Sequence, residues 1–206
     1  MIQESRVTPY PFTYPSSPHT RRHGPTGYED YGSYRPWLRD EFTFRCVFCL
    51  RREQWGVITG LWDIDHLVPQ SRNSALALEY DNLLYVCRTC NSTKSVHLVS
   101  DPCNLTLADC LHVNEDGTIT ALNDDGLLLI EILRLDNEDY TRFRNLVIQT
   151  TRVLATNSWP TFVLWMSYPG DLPNLGKLRP NGNSRPGGIN DSFFERRIRG
   201  ELEEVY

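Results

Sequence analysis

Asp63, Asp65 and His66 fall within four positions of one another in the run DIDHLVPQ, Asp63 to Gln70. Two carboxylates and an imidazole this close are the groups that hold a hard cation and move a proton beside it. On an extended chain Asp63 and Asp65 point to one face, because side chains alternate with a period of two. His66 then faces the other side unless the strand ends there. Pro69 cannot continue a strand ladder and gives it a reason to end. A turn at Pro69 frees the imidazole to swing to the mouth of a site. Histidine is also the side-chain type that changes charge near neutral pH. The plainer reading is a strand that ends in polar residues at a turn.

A second group of candidates follows in CRTCNSTKSVH. Asn91 and Lys94 are three positions apart, on one face of a helix. A carboxylate of Asp65 and the amide oxygen of Asn91 are both hard ligands. Together they suit Mg2+ or Mn2+, with waters and a substrate phosphate completing the shell. Lys94, one turn from Asn91, is a candidate phosphate contact, and so is Arg88. Arg51, Arg52 and Arg72 also flank the site. Each alone is an ordinary arginine, but with Arg88 they form a set suited to gripping a nucleic-acid backbone.

Four of the six cysteines form two pairs, Cys46-Val-Phe-Cys49 and Cys87-Arg-Thr-Cys90. Two C-x2-C pairs separated by a long insert are the spacing of a tetrahedral four-cysteine zinc site. Cys103 and Cys110 lack that spacing and read as buried apolar thiols.

These residues need elements to position them. GVITGLWDID reads as a strand that ends at His66, and NLLYVC reads as a second. CRTCNSTKSVH reads as a short helix entered at the second cysteine pair. The order is strand, loop, strand, helix, with one pair ahead of the first strand and the other at the strand-to-helix junction. Downstream, Asp116-Gly117 marks a turn. GLLLIEILRL reads as an apolar helix. DNEDYTRFRNLVIQTTRVLA reads as another, capped at Asp136 or Asn137, with Tyr140, Phe143, Val147 and Leu154 near one face. The domain plan is an extended Pro/Tyr-rich arm over 1–34, a zinc-stapled core over 35–100, a helical extension over 101–160, and a Pro/Gly-rich tail with a terminal helix over 161–206. In the arm, Tyr28, Tyr31 and Tyr34 are candidates to pack on the core or to stack on bases. Arg21, Arg22 and His23 suit either phosphate contact or a solvated loop.

The runs CVFC, DIDHLVPQS and DNLLYVCRTCNSTKS, taken in this order and spacing, resemble the HNH endonuclease family, also called His-Me finger or ββα-metal nucleases. DIDHLVPQS is similar to the corresponding run in the HNH domain of RNA-guided DNA nucleases, and the four cysteines resemble those of the zinc-bearing branch. The likeness covers about Arg45 to His97. A weaker one, to small bacterial HNH proteins, extends through DPCNLTLADCLHVNEDGTI and IEILRL. The resemblance implies an α+β fold: a ββα-metal core with a four-cysteine structural zinc site, followed by a small helical extension. It implies that His66 is the general base for the attacking water, that Asp65 and Asn91 hold the catalytic divalent ion, and that Asn82 fixes the loop orienting His66. Hydrolysis of DNA leaving 5′-phosphate and 3′-hydroxyl ends is the implied reaction. Some members carry a histidine where this chain has Ser95, which turns the expected metal toward Mg2+. His97 is off that face and reads as a helix-end histidine.

The net charge of −5 argues weakly against nucleic acid as a partner. Its distribution weakens that argument further. Residues 35–94 carry eight basic and seven acidic side chains, whereas 98–206 carry ten and sixteen. The acidity belongs to the C-terminal half, and a cation bound at Asp63 and Asp65 would leave the candidate face positive. The first residues have no apolar core of a secretory signal, and GLLLI and TFVLWM are far short of the roughly 20 residues that span a bilayer. The expectation is a soluble cytoplasmic protein with double-stranded DNA as partner and no membrane. A homodimer or a larger complex stays open. So do two rival functions, a zinc-stabilised binding module without catalysis and a nuclease acting on RNA or only within a complex.

Overall fold

A computed structural model describes residues 10–56 and 61–206. In chain order the elements are β1 (Pro25–Thr26), α1 (Arg35–Glu41), β2 (Trp62–His66), β3 (Leu83–Cys87), α2 (Arg88–Lys94), α3 (Leu107–Cys110), β4 (Leu111–Val113), β5 (Ile119–Ala121), α4 (Asp124–Leu133), α5 (Glu138–Asn157), α6 (Trp159–Met166), β6 (Gly182–Asn183), α7 (Gly187–Asn190) and α8 (Phe193–Ile198). The strands form small antiparallel pairs, β1 with β6, β2 with β3 and β4 with β5. The fold is thus a mixture of helices and small sheets.

The pair that positions the site is β2–β3. Its register sets Asp63 opposite Val86, Asp65 opposite Leu84 and His66 opposite Leu83. Every residue of β3 is buried, which is why NLLYVC shows an unbroken apolar run rather than alternation. The strand expected to begin at Gly56 is described only from Trp62; residues 57–60 lie outside the described part. Cys87 ends β3 and also caps α2, its sulfur accepting from the Cys90 N–H at 3.5 Å. The helix stops after Lys94 because Ser95 takes a left-handed φ of 49°.

The expected downstream hairpin and both helices are present. Asn123 caps α4 through the Gly126 N–H, and Asn137 caps α5 through the Tyr140 N–H at 2.8 Å. A side chain at Gly126 would stand 2.0 Å from the Cys110 carbonyl oxygen, so α4 docks on α3 only through a glycine. On α5, Tyr140 and Val147 are buried as expected, while Phe143 and Leu154 are half-buried. Helix α6 had no expectation. It crosses the boundary drawn at residues 160 and 161. Its Trp165 stacks on Trp55 with ring centroids 5.7 Å apart, which ties the tail to the chain just after the first cysteine pair.

The arm is not a loose extension over its described residues. Two adjacent carboxylates on α1, Asp40 and Glu41, are fully buried and gather it in. Glu41 accepts from His19 Nε2 at 2.7 Å, from the Arg22 and His23 N–H groups, and from the Tyr80 hydroxyl at 3.1 Å. Asp40 takes His23 Nε2 and Arg22 Nη2, both at 2.9 Å, and the Phe193 N–H that opens α8. Arg21 donates to the Leu83 carbonyl at 2.8 Å. Arg21, Arg22 and His23 are therefore internal fasteners and not a solvated loop.

This network has a pH signature. Burial alone pushes the Glu41 carboxyl up. The His19 and Arg22 hydrogen bonds, with the attraction of His23 and His19, outweigh burial and hold it at about 2 against an ordinary 4.5. A carboxyl depressed on folding adds stability that is present above pH 4.5 and is lost as pH falls toward 2. A shift of that size corresponds to about 3 kcal/mol. Glu41→Gln is expected to melt earlier at pH 7 and to lose most of the acid slope across that window. Thermal melting against pH checks this, and an unchanged acid limb in the variant would refute it.

Candidate active site

The cysteines come together first. The sulfurs of Cys46, Cys49, Cys87 and Cys90 all lie within 4.8 Å of one another, and all four residues are buried. Cys49 and Cys87 are 3.6 Å apart. Four sulfurs around one zinc at about 2.3 Å would stand roughly 3.8 Å apart, so the cluster is compatible with a structural zinc. Hydrogen bonds from the other three thiols hold Cys87 far down in the thiolate range, and burial pushes Cys46 up. Local backbone shapes the first knuckle: Leu50 adopts a φ of 58° and its N–H bonds the Cys46 carbonyl at 3.0 Å. The Tyr140 hydroxyl reaches the Cys90 sulfur at 3.1 Å from α5. Sequence reading placed Tyr140 on a packing face and missed this polar contact, which no local pattern announces.

His66 closes β2 and is 9% exposed. Its Nε2 lies 3.1 Å from the Ala77 carbonyl oxygen and 3.0 Å from the Gln70 side-chain amide. A carbonyl only accepts, so the Ala77 contact puts the proton on Nε2; the Gln70 amide, whose Nε2 stands against the same nitrogen, accepts there only with its oxygen and nitrogen exchanged. Nδ1 is left with the lone pair. Asn82 holds the loop that supplies these partners. Its Oδ1 accepts from the Val68 N–H at 2.8 Å, and its Nδ2 donates to the carbonyls of Val68 and Leu76. Leu76 immediately precedes Ala77, so one buried amide fixes the carbonyl that orients the imidazole.

The oxygen ligand candidates sit beside it. Asn91 is half-buried, and its Nδ2 donates to Asp63 Oδ2 at 3.2 Å. That bond decides which way the amide faces and leaves Oδ1 without a protein donor among the described residues. Asp63 also takes Arg88 at 3.3 Å, so it orients its neighbours. Asp65 is buried. The Lys94 ammonium straddles its two oxygens, 3.1 Å from Oδ1 and 3.0 Å from Oδ2. Burial raises the Asp65 carboxyl by more than Lys94 and His66 lower it. A buried carboxylate shared with one ammonium, and an amide oxygen without a protein donor among the described residues, are hard oxygen donors of the kind a divalent ion takes.

Lys94 departs from its expected place. It is 0% exposed, and its ammonium donates to Asp65 Oδ1 at 3.1 Å and to the His66 carbonyl at 2.8 Å. It fastens the two central residues of the site to α2 and presents nothing to a phosphate. Arg88 remains 61% exposed at its side chain and stays available. Arg72 is also exposed. Arg52 is buried with Nη1 on the Met166 carbonyl and does not belong to a backbone clamp, while half-buried Arg51 lies over the Phe143 ring. His97 is exposed just beyond the end of α2.

No helix among the described residues is long and apolar enough to cross a membrane. No curated protein matches the chain. Residues 46–96 do match the family model for HNH endonuclease. The matched stretch holds both cysteine pairs, β2, β3, α2 and the Asp63, Asp65, His66, Asn82 and Asn91 set.

Proposed function

We propose that the protein is a metal-dependent endonuclease that hydrolyses DNA phosphodiester bonds, with β2, β3 and α2 as a ββα-metal core. The observation that carries this reading is the orientation of His66. Its Nε2–H is spent on the Ala77 carbonyl, and the Nδ1 lone pair remains on a ring whose backbone adjoins the Asp65 carboxylate. Asp65 and Asn91 are the residues that hold the divalent ion, Mg2+ or Mn2+. When bound, that ion supplies Lewis-acid polarisation of the phosphate and stabilises charge on the leaving 3′ oxygen.

The chain's own residues do the rest. His66 Nδ1 takes a proton from the attacking water, and the positive charge that develops on the ring is stabilised by the Ala77 carbonyl. Asn82 keeps that carbonyl in place. Asp63 turns the Asn91 oxygen outward. Arg88 and Arg72 meet the nucleic-acid backbone from outside. One such site per chain cuts one strand at a time.

Supercoiled plasmid incubated with the purified protein in Mg2+, in Mn2+ and in EDTA tests this directly. Nicked circles that appear with metal and vanish with EDTA are the expected result. Retention of DNA without cleavage in any metal would replace the nuclease with a zinc-stabilised binding module. Cleavage of RNA alone would move the substrate.

A further inference from the structure

The His66 ring touches a third segment. The ring of Tyr31 packs against it with centroids 4.8 Å apart and planes at 79°, an edge-to-face contact. Tyr31 lies in the arm, outside residues 46–96. It starts a short 3-10 turn, Tyr31–Tyr34, that Asp30 caps through the Ser33 N–H at 3.1 Å and the Ser33 hydroxyl at 2.6 Å. Tyr34, at the other end of the turn, is buried against Tyr28 and Tyr80. Tyr28 in turn accepts from Trp37 Nε1 at 2.9 Å. Tyr31 therefore stands on a fixed frame while remaining 41% exposed.

A hydrogen bond from Nε2 to a carbonyl fixes one corner of an imidazole. The ring still tilts about that corner, because the torsion next to a flat ring is broad. Gln70 is on the exposed surface and meets the same corner. Only Tyr31 bears on the ring itself among the aromatic contacts of the described residues. We propose that Tyr31 is a positioning residue for His66: it holds the imidazole plane so that Nδ1 faces the site, and the arm is part of the active site. This rests on the reading of His66 as the base.

The test uses the full chain with Tyr31→Ala and Tyr31→Phe. Tyr31→Ala is expected to lower kcat about tenfold with KM unchanged, and Tyr31→Phe to stay within about twofold of the parent, with zinc content and melting midpoint unaltered in both. Adding Tyr31→Ala to His66→Ala is expected to leave affinity for a labelled duplex DNA unchanged. Weaker binding in that background would make Tyr31 a substrate contact and overturn the proposal. A readout independent of cleavage is the NMR signal of the His66 ring protons at fixed pH, assigned by their loss in His66→Ala. They should shift in Tyr31→Ala and hold in Tyr31→Phe. Unmoved signals in Tyr31→Ala overturn the proposal whether or not the protein cuts DNA. Shifted signals in a protein that cuts nothing support the ring contact and dismiss the nuclease reading by itself.

Discussion

His66→Ala is expected to reduce plasmid cleavage by about 10²- to 10⁴-fold, the usual span for loss of a general base, with zinc and fold retained. The geometry supports both halves of that expectation. The ring is nearly buried but among the described residues makes its polar bonds only to the Ala77 carbonyl and the exposed Gln70 amide. Water can take over both once the ring is gone. The cysteine cluster, Asn82 and the Lys94 bond to the residue 66 carbonyl do not involve the imidazole. Single-turnover cleavage, zinc content and a thermal melt should be measured on the same preparation. Near-normal cleavage by a folded, zinc-loaded variant would remove His66 as the base.

Cys87→Ser is expected to do the opposite, losing the fold before any question of chemistry arises. Cys87 ends β3, caps α2 and sits in the four-sulfur cluster. Structural zinc in small sites contributes about 10–16 kcal/mol, whereas a whole domain is stable by about 5–15. Loss of the ion therefore exceeds the margin that keeps the core folded. The expected result is a zinc-free protein without a cooperative melt, and a strong chelator should produce the same from the parent. A soluble Cys87→Ser protein that binds no zinc and still melts cooperatively would defeat the four-cysteine assignment.

What the sequence made legible was whatever depends on near neighbours. The C-x2-C pairs, the strand ending at His66, the strand-to-helix step at Cys87 and the Asn137 cap are local patterns, and each appears where it was expected. Lys94 shows the limit. Its helical spacing from Asn91 was read correctly, but spacing does not tell whether a side chain faces solvent or Asp65. That was settled by how α2 lies against β2. Helix α6 was missed because WPTFVLWM is apolar nearly all round and has no period of 3.6 to read; Phe162 and Met166 are buried while Leu164 is exposed. The docking of the arm was illegible for a different reason. Its partners, Asp40, Glu41, Leu83 and residues 183–185, are scattered along the chain, and a Pro/Tyr-rich composition carries no record of them.

The clasp on that arm also sets a schedule for the protein's synthesis. Gly24 bonds Asn183 across 159 residues, His23 bonds Arg185 across 162, and Asp40 bonds Phe193 across 153. A ribosome moving at about 5–20 residues per second makes the cysteine pairs and His66 on the order of ten seconds before it makes residues 182–193. Through that interval the nascent chain has its zinc ligands, its histidine and the Asp40, Glu41 and Leu83 partners of the arm, but not the bonds to residues 183–193. The cysteine pairs, His66 and the frame of Tyr31 can therefore come together before the last fasteners of the arm exist.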